Sequence, residues 1–170
     1  MGLNEPVMSE TRTTFPAPGH DHARCEAEAM VHAERVCIGR AQNFTPSRRR
    51  VLQALLASHR PLGAYEVIDE LAKTASRPAP ITVYRALDFL MENGLVHRIE
   101  SRNAFLACAH DHDDVSLVAF LICDHCGSVG EVPATLVAKS LNEAARTTGF
   151  APKLSVVEIT GTCAHCQSDQ

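Results

Sequence analysis

Two Cys-x-x-Cys pairs, Cys123/Cys126 and Cys163/Cys166, are separated by 36 residues in a chain of 170. Four thiolates delivered by two tight knuckles can meet in a tetrahedron, the arrangement that structural zinc takes. Each pair follows a run that reads as a strand: Leu121-Ile122-Cys123 in one case, Val157-Glu158-Ile159 shortly before Cys163 in the other. A shared metal would clip the far end of the chain back onto its middle. The alternative is two unrelated pairs, redox-active or incidental. A dithiol oxidoreductase needs its first cysteine exposed at a helix start, whereas Gly127 and a further strand follow the first pair here. A metallohydrolase needs an open zinc position with a general base beside it. Glu131 could serve as that base, but no oxyanion donor or substrate pocket can be named. The pattern therefore reads as a metal-stabilised binding protein, not an enzyme.

The elements that must position these pairs are legible in outline. Residues 1–23 form a loose arm with Pro16, Pro18 and Gly19 and no periodic pattern. Arg24 to Arg40 is helical in pattern, with Met30, Ala33, Val36 and Cys37 on one face. Thr45-Pro46 starts a helix as N-cap and first helical residue, and Val51, Leu52, Leu55 and Leu56 supply its apolar stripe. After Pro61-Leu62-Gly63, a helix over Ala64 to about Ala75 buries Val67, Ile68 and Leu71. The Arg77-Pro78-Ala79-Pro80 connector is stiff, since prolines do not sit inside a helix. Ile81 to Glu92 follows as a helix stopped by Gly94. Leu95–Ile99 and Ala104–Cys108 then read as a hairpin across Glu100-Ser101-Arg102-Asn103. Helices followed by a hairpin give the winged-helix order, in which the last helix enters a DNA groove.

Beyond Cys108 the character changes. Residues 109–115 form a polar hinge rich in histidine and aspartate. The segment 116–170 then carries strands at Leu117–Ile122, Val129–Val132 and Ser155–Thr160, with a helix over Pro133–Thr148. That helix has Leu136, Val137, Ser140, Leu141 and Ala144 on one side. The expected architecture is α+β: a winged-helix domain over 24–108, then a small α/β dimerisation domain. A unit of about 60 residues is marginal without a metal, a disulfide or a partner subunit. One open strand edge and one amphipathic helix suit it to pairing with a second copy.

Composition bounds the rest. Nothing in the sequence is long and apolar enough to span a bilayer, and residues 1–30 do not pattern as a secretory signal. Seven cysteines without an export signal point to the reducing cytoplasm, where paired cysteines more often bind metal than form disulfides. The net charge of −4 conceals a division: residues 41–107 carry +3 and residues 108–170 carry −5. Only the first half suits a polyanion.

Several long motifs in order resemble the ferric uptake regulator superfamily, and within it the zinc uptake regulator branch. Pro80-Ile81-Thr82-Val83-Tyr84-Arg85-Ala86-Leu87-Asp88-Phe89-Leu90 is similar to the family's recognition helix, and Gly94 to Ser101 is similar to its wing. Phe120 to Gly127 resembles the first half of its structural zinc site, and Thr45-Pro46-Ser47-Arg48 resembles the start of its second helix. The resemblance implies a homodimeric repressor that binds a palindromic operator in double-stranded DNA when metal is bound. It also implies two zinc ions per chain. The structural ion falls to Cys123, Cys126, Cys163 and Cys166. A regulatory ion at the hinge falls to His97, Cys108 and Glu131, with a fourth ligand that departs from the family pattern. Relatives place a histidine seven residues before the first knuckle cysteine, where this chain has Ser116. His112 or His110 must supply the ligand, and His112 is favoured because its longer offset from Cys108 lets the backbone turn back.

Thiolate with imidazole suits zinc, while iron and manganese sensors lean on imidazole and carboxylate. The iron-sensing branch carries a His-His-Asp-His run just before the first knuckle, and this chain has the apolar Val118-Ala119-Phe120-Leu121 there. An iron- or peroxide-sensing member, or a zinc-binding interaction module, is the alternative reading. By the same resemblance Arg85 reads a base, with Thr82 and Tyr84 beside it on the recognition helix. Tyr65 matches a DNA-contacting tyrosine, and Arg48, Arg49, Arg50, Arg98 and Arg102 are expected at phosphates. Some relatives join neighbouring dimers through an Asp and an Arg on the preceding helix. Asp69 is present here, but the arginine position holds Ala72.

Overall fold

A computed structural model of the chain describes residues 14–15, 21–57, 60–108 and 117–168. Four helices come first: α1 (His22–Gly39), α2 (Pro46–Leu56), α3 (Ala64–Thr74) and α4 (Pro80–Glu92). Each starts where local chemistry supplies an acceptor or removes a donor. The Asp21 carboxylate accepts from Arg24 N–H at 3.2 Å, which starts α1 two residues earlier than its apolar pattern suggests. Thr45 Oγ1 accepts from Arg48 N–H at 3.4 Å, the Glu66 carboxylate accepts from Gly63 N–H at 2.6 Å, and Pro80 opens α4. Helix α4 ends at Gly94, whose φ of +70° a side-chain-bearing residue resists. Leu95 N–H then bonds back to Leu90 C=O at 2.9 Å, satisfying a terminal carbonyl.

Strands β1 (Val96–Ile99) and β2 (Ala104–Ala107) pair antiparallel from Val96↔Ala107 to Ile99↔Ala104. A single 3₁₀ turn, Glu100–Arg102, joins them and closes on Asn103 in the left-handed conformation at φ 46°. Leu62 and Phe105 exchange backbone hydrogen bonds at 2.9 and 2.8 Å, so the chain ahead of α3 is stitched to β2. One apolar core unites this lobe: Val51, Leu52 and Leu55 of α2, Val67 and Ile68 of α3, and Val83, Leu87 and Leu90 of α4 are all fully buried. Four helices and a wing are the winged-helix architecture expected from the sequence.

The second lobe is a three-stranded sheet in the order β4-β3-β5. Its strands are β3 (Val118–Cys123), β4 (Val129–Pro133) and β5 (Val157–Gly161). β3 runs antiparallel to β4 and parallel to β5, and α5 (Thr135–Thr147) makes the crossover. A short helix α6 (Ala164–Ser168), which the sequence reading did not anticipate, carries the second knuckle. Helix α5 meets its own sheet through small residues: Ala134 and Ala138 pack with Leu117 and Ala119. The stripe read from periodicity lies elsewhere. Leu136, Val137 and Leu141 are 79%, 42% and 45% exposed, so the apolar side of α5 faces away from the chain's own core. A three-stranded sheet offers a narrow platform, and alanines let the helix sit close on it while the larger side chains point out.

A third cluster joins the lobes. Ile99 and Leu106 of the wing pack with Phe120, Ile122 and Val129 of the second sheet. Among the described residues no helix is long and apolar enough to cross a membrane.

The first core carries the stability of the N-terminal lobe. Leu87→Ala should lower the unfolding free energy of that lobe by about 3 kcal/mol, from lost transfer energy plus a cavity between α2 and α4. Denaturant melts followed by circular dichroism check this, and the metal content of the second lobe should not change.

Candidate metal centres and nucleic-acid interface

The two knuckles converge. β3 delivers Cys123, and a turn closed by Gly127 N–H to Cys123 C=O at 3.0 Å delivers Cys126. Gly127 holds φ +77°, which the turn needs. Asp124 N–H bonds to Gly161 C=O at 2.9 Å, aligning the end of β5 so that Cys163 and α6 arrive opposite. The four sulfurs lie within 4.8 Å of one another, and Cys126 and Cys163 are 3.9 Å apart. A tetrahedral ion with Zn–S bonds near 2.3 Å implies sulfur separations of about 3.8 Å, so the donor set fits zinc with no position left for water.

The electrostatics favour a deprotonated knuckle. Backbone N–H groups of Cys126 and Cys163 point at Cys123 Sγ at 3.5 and 3.4 Å. These donors, with the His125 N–H, lower the Cys123 thiol to about 6 against the opposing effect of burial. Ser128 lowers Cys126. Cys166 behaves oppositely: burial and three neighbouring thiols push it up to about 12. Four crowded thiols thus resist full ionisation until a cation neutralises them. Phe15 of the arm packs against the cluster. Thr14 presses on Gly130 so closely that a Cβ there would lie 2.5 Å from its methyl group.

A second donor group forms where the lobes meet. His97 on β1, Cys108 just after β2 and Glu131 on β4 bring ligand atoms within 4.8 Å of one another. Cys108 and Glu131 are buried, and Cys108 Sγ lies 3.8 Å from a Glu131 carboxylate oxygen. The Phe120 ring packs on His97 with centroids 5.2 Å apart and holds the imidazole toward the cluster. Cys108 is fixed by its own backbone, whose N–H donates to Leu95 C=O at 2.9 Å. Thiol, imidazole and carboxylate from two lobes make a donor set that suits zinc. His110 and His112, expected to complete it, lie outside the described residues, as does Ser116.

On the outer side of α3 and α4, Tyr65 at the start of α3 and Thr82, Tyr84 and Arg85 on α4 are exposed, the two tyrosines by 64% and 40%. Arg98 is exposed on β1, bonded to the Asn103 side chain at 2.8 Å and to Glu100 at 3.3 Å. The other arginines are engaged within the chain. Arg48 donates to Asn43 C=O and stacks its guanidinium over the Phe89 ring, 3.4 Å from the centroid. Arg49 pairs with Glu34 and lies over Phe44, and Arg50 reaches Leu71 C=O at 3.4 Å. In this structure the run ties α2 to α1, α3 and α4. The Arg102 guanidinium turns to the second lobe and donates to Cys123 C=O at 3.4 Å. Asp69 pairs with Arg77 at 2.7 Å, so its carboxylate is engaged inside the chain.

Sequence reasoning missed one residue here. The Glu158 carboxylate on β5 accepts from Glu100 N–H at 2.6 Å and Ser101 N–H at 3.1 Å. The available signal was an acidic residue standing between Val157 and Ile159.

Known proteins share this arrangement. The family model described as the ferric uptake regulator family matches residues 40–160. The zinc uptake regulation protein of Escherichia coli (strain K12) is 37% identical over 139 residues, covering 82% of this chain and 81% of that protein. A zinc uptake regulator solved in complex with zinc and DNA superposes with a TM-score of 0.79 at 37% identity, over 85% of this chain and 96% of that one. Holo XcZur superposes at 0.74 with 40% identity, over 87% of this chain and 99% of that one. The apo form of XcZur, at the same 40% identity and over 85% and 99% of the two chains, reaches only 0.51. The chain belongs to the ferric uptake regulator family.

Proposed function

We propose that this chain is a zinc-responsive transcriptional repressor of the cytoplasm, without catalytic activity, that binds operator DNA as a homodimer and controls zinc-uptake genes. The observation that carries the reading is the convergence of His97, Cys108 and Glu131 from two lobes to within 4.8 Å. Support comes from the likeness to a regulator solved with zinc and DNA.

Two zinc ions per chain are assigned distinct work. The Cys123/Cys126/Cys163/Cys166 ion holds shape, because all its ligands are protein thiolates. His97, Cys108, Glu131 and a hinge histidine, His112 or His110, would hold the hinge ion, which would supply the signal by drawing ligands of the two lobes together. In an open hinge His97 and Cys108 stay together on the wing while Glu131 departs with β4. Closure therefore gains ligands, and zinc affinity differs between the two states. A preference of about 10⁴-fold is needed to move such a hinge from mostly open to mostly closed. The closed arrangement presents α4, with Arg85, Tyr84 and Thr82, toward the major groove, with Tyr65 and Arg98 beside it. The outward stripe of α5, Leu136, Val137 and Leu141, with Ile159 of β5, suits the dimer contact. Cys108 separates this reading from an iron sensor, whose ligands are imidazole and carboxylate.

Elemental analysis of the reduced protein should find about two zinc per chain, falling to about one after mild chelation. Cys108→Ser should begin at about one. A single zinc that chelators never remove, in the wild-type chain, would sink the regulatory site.

Arg85→Ala should cost about 1–3 kcal/mol on a duplex selected from a random pool by the zinc-loaded protein, with relaxed preference at one base position. Arg98→Ala should weaken all duplexes alike and flatten the salt dependence by about one unit of slope. Fluorescence anisotropy over a salt series separates the two. Equal, sequence-independent losses for both variants would remove Arg85 from base reading.

A further inference from the structure

We infer that Glu158 is a positioning residue that ties the wing to the second lobe and so sets how readily the two lobes close. The inference rests on the proposed reading only for the consequence of closure; the tie itself stands on the geometry. The 3₁₀ turn Glu100–Arg102 presents its first backbone N–H groups without partners inside the turn. Both oxygens of the Glu158 carboxylate are used on two consecutive groups of this kind, Glu100 N–H at 2.6 Å and Ser101 N–H at 3.1 Å. Hydrogen bonds to an ionised acceptor are roughly twice as strong as neutral ones. The next residue of the same turn, Arg102, donates to Cys123 C=O at 3.4 Å. One turn of the wing is thus held at three consecutive residues by β5 and by the knuckle at the end of β3.

Both anchors on the second lobe are rigid. Glu158 lies opposite Phe120 in the parallel β3–β5 pairing, and Phe120 packs with Ile99 and Leu106 of the wing. Partial burial raises the Glu158 carboxyl, yet the Ser101 and Glu100 donors outweigh it and hold the group below its ordinary value. The carboxylate belongs to neither donor cluster. Its position nevertheless governs one of them, because the same hairpin carries His97 and leads to Cys108. A wing already oriented against the second lobe raises the fraction of chains able to take the hinge ion, and apparent affinity scales with that fraction.

The test uses the full-length chain carrying its structural zinc, as wild type, Glu158→Ala and the near-isosteric Glu158→Gln. Backbone hydrogen exchange is read by NMR, and radius of gyration by solution scattering across a chelator-buffered zinc series. Exchange at the Glu100 and Ser101 amides should accelerate by about tenfold or more in both variants, while the Val96–Ala107 ladder keeps its protection. The zinc concentration for half-compaction should rise by roughly threefold or more. Exchange at both amides within about twofold of wild type, in both variants, overturns the tie whatever the zinc response. Opened amides with an unmoved compaction midpoint overturn the link to closure. A wild-type chain whose dimensions ignore zinc, with the amides still opened by substitution, upholds the tie and defeats the sensor reading instead.

Discussion

Everything downstream of the wing depends on four sulfurs meeting at one point. The second lobe has little else to hold it: its internal cluster is Leu117, Ala119, Ala134 and Ala138, largely small side chains. The apolar side of its one long helix faces away from that cluster. Closing the Cys123/Cys126 knuckle onto Cys163 and Cys166 pins β5 against β3 and returns the far end of the chain to its middle. A structural zinc site of this kind contributes apparent binding free energy of about 10–16 kcal/mol, comparable with the stability of a whole small domain. On the proposed reading, an ion there steadies β5 and the end of β3, and with them the Glu158 and Arg102 contacts to the wing.

The joint between lobes combines interactions of three kinds, and their differences matter. Ile99, Leu106, Phe120, Ile122 and Val129 form an apolar contact that is non-directional and tolerates small rotations. The Glu158 and Arg102 bonds are directional and fix the angle of the wing. On the proposed reading, the His97/Cys108/Glu131 group is the one that answers to zinc concentration. A bistable element near balance is what a ligand of a few kcal/mol differential affinity can move. The better match to the holo than to the apo form of one relative, 0.74 against 0.51, accords with a structure in which all three contacts are made.

The parts legible in the sequence are those that physics writes locally. Thr45-Pro46 and Gly94 marked helix ends because capping and positive φ are properties of one or two residues. The knuckles were legible because a Cys-x-x-Cys turn can hold its metal in few ways. Periodicity showed that α5 has an apolar side, but not that its own sheet would take only Ala134 and Ala138 and leave Leu136 outside. The arginine run could not announce its partners, since a guanidinium over Phe89 looks the same in sequence as one over a phosphate. Cys108 and Glu131 stand 23 residues apart with no shared motif. Only family resemblance joined them, because their meeting is a product of lobe docking and not of spacing.

The engagement of Arg48, Arg49 and Arg50 has a consequence for how the protein reads DNA. A recognition helix transmits sequence preference only if its own orientation is fixed, since a loose helix lets each side chain reach several bases. Arg48 stacked on Phe89 clamps α2 to α4 one turn along the helix from Arg85, and Phe89 is itself buried. Arg49 paired with Glu34 ties α2 to α1 in turn. On the proposed reading, the arginines of α2 hold α4 in place while its exposed front reads bases, and one such lobe alone is a weak binder. Two lobes held at fixed spacing compensate, because the second contact becomes intramolecular once the first is made. A binder built this way depends on the angle between its lobes more than on the charge of either. That dependence is why, on the proposed reading, a hinge between wing and second sheet is an effective place for a metal to decide whether DNA is held.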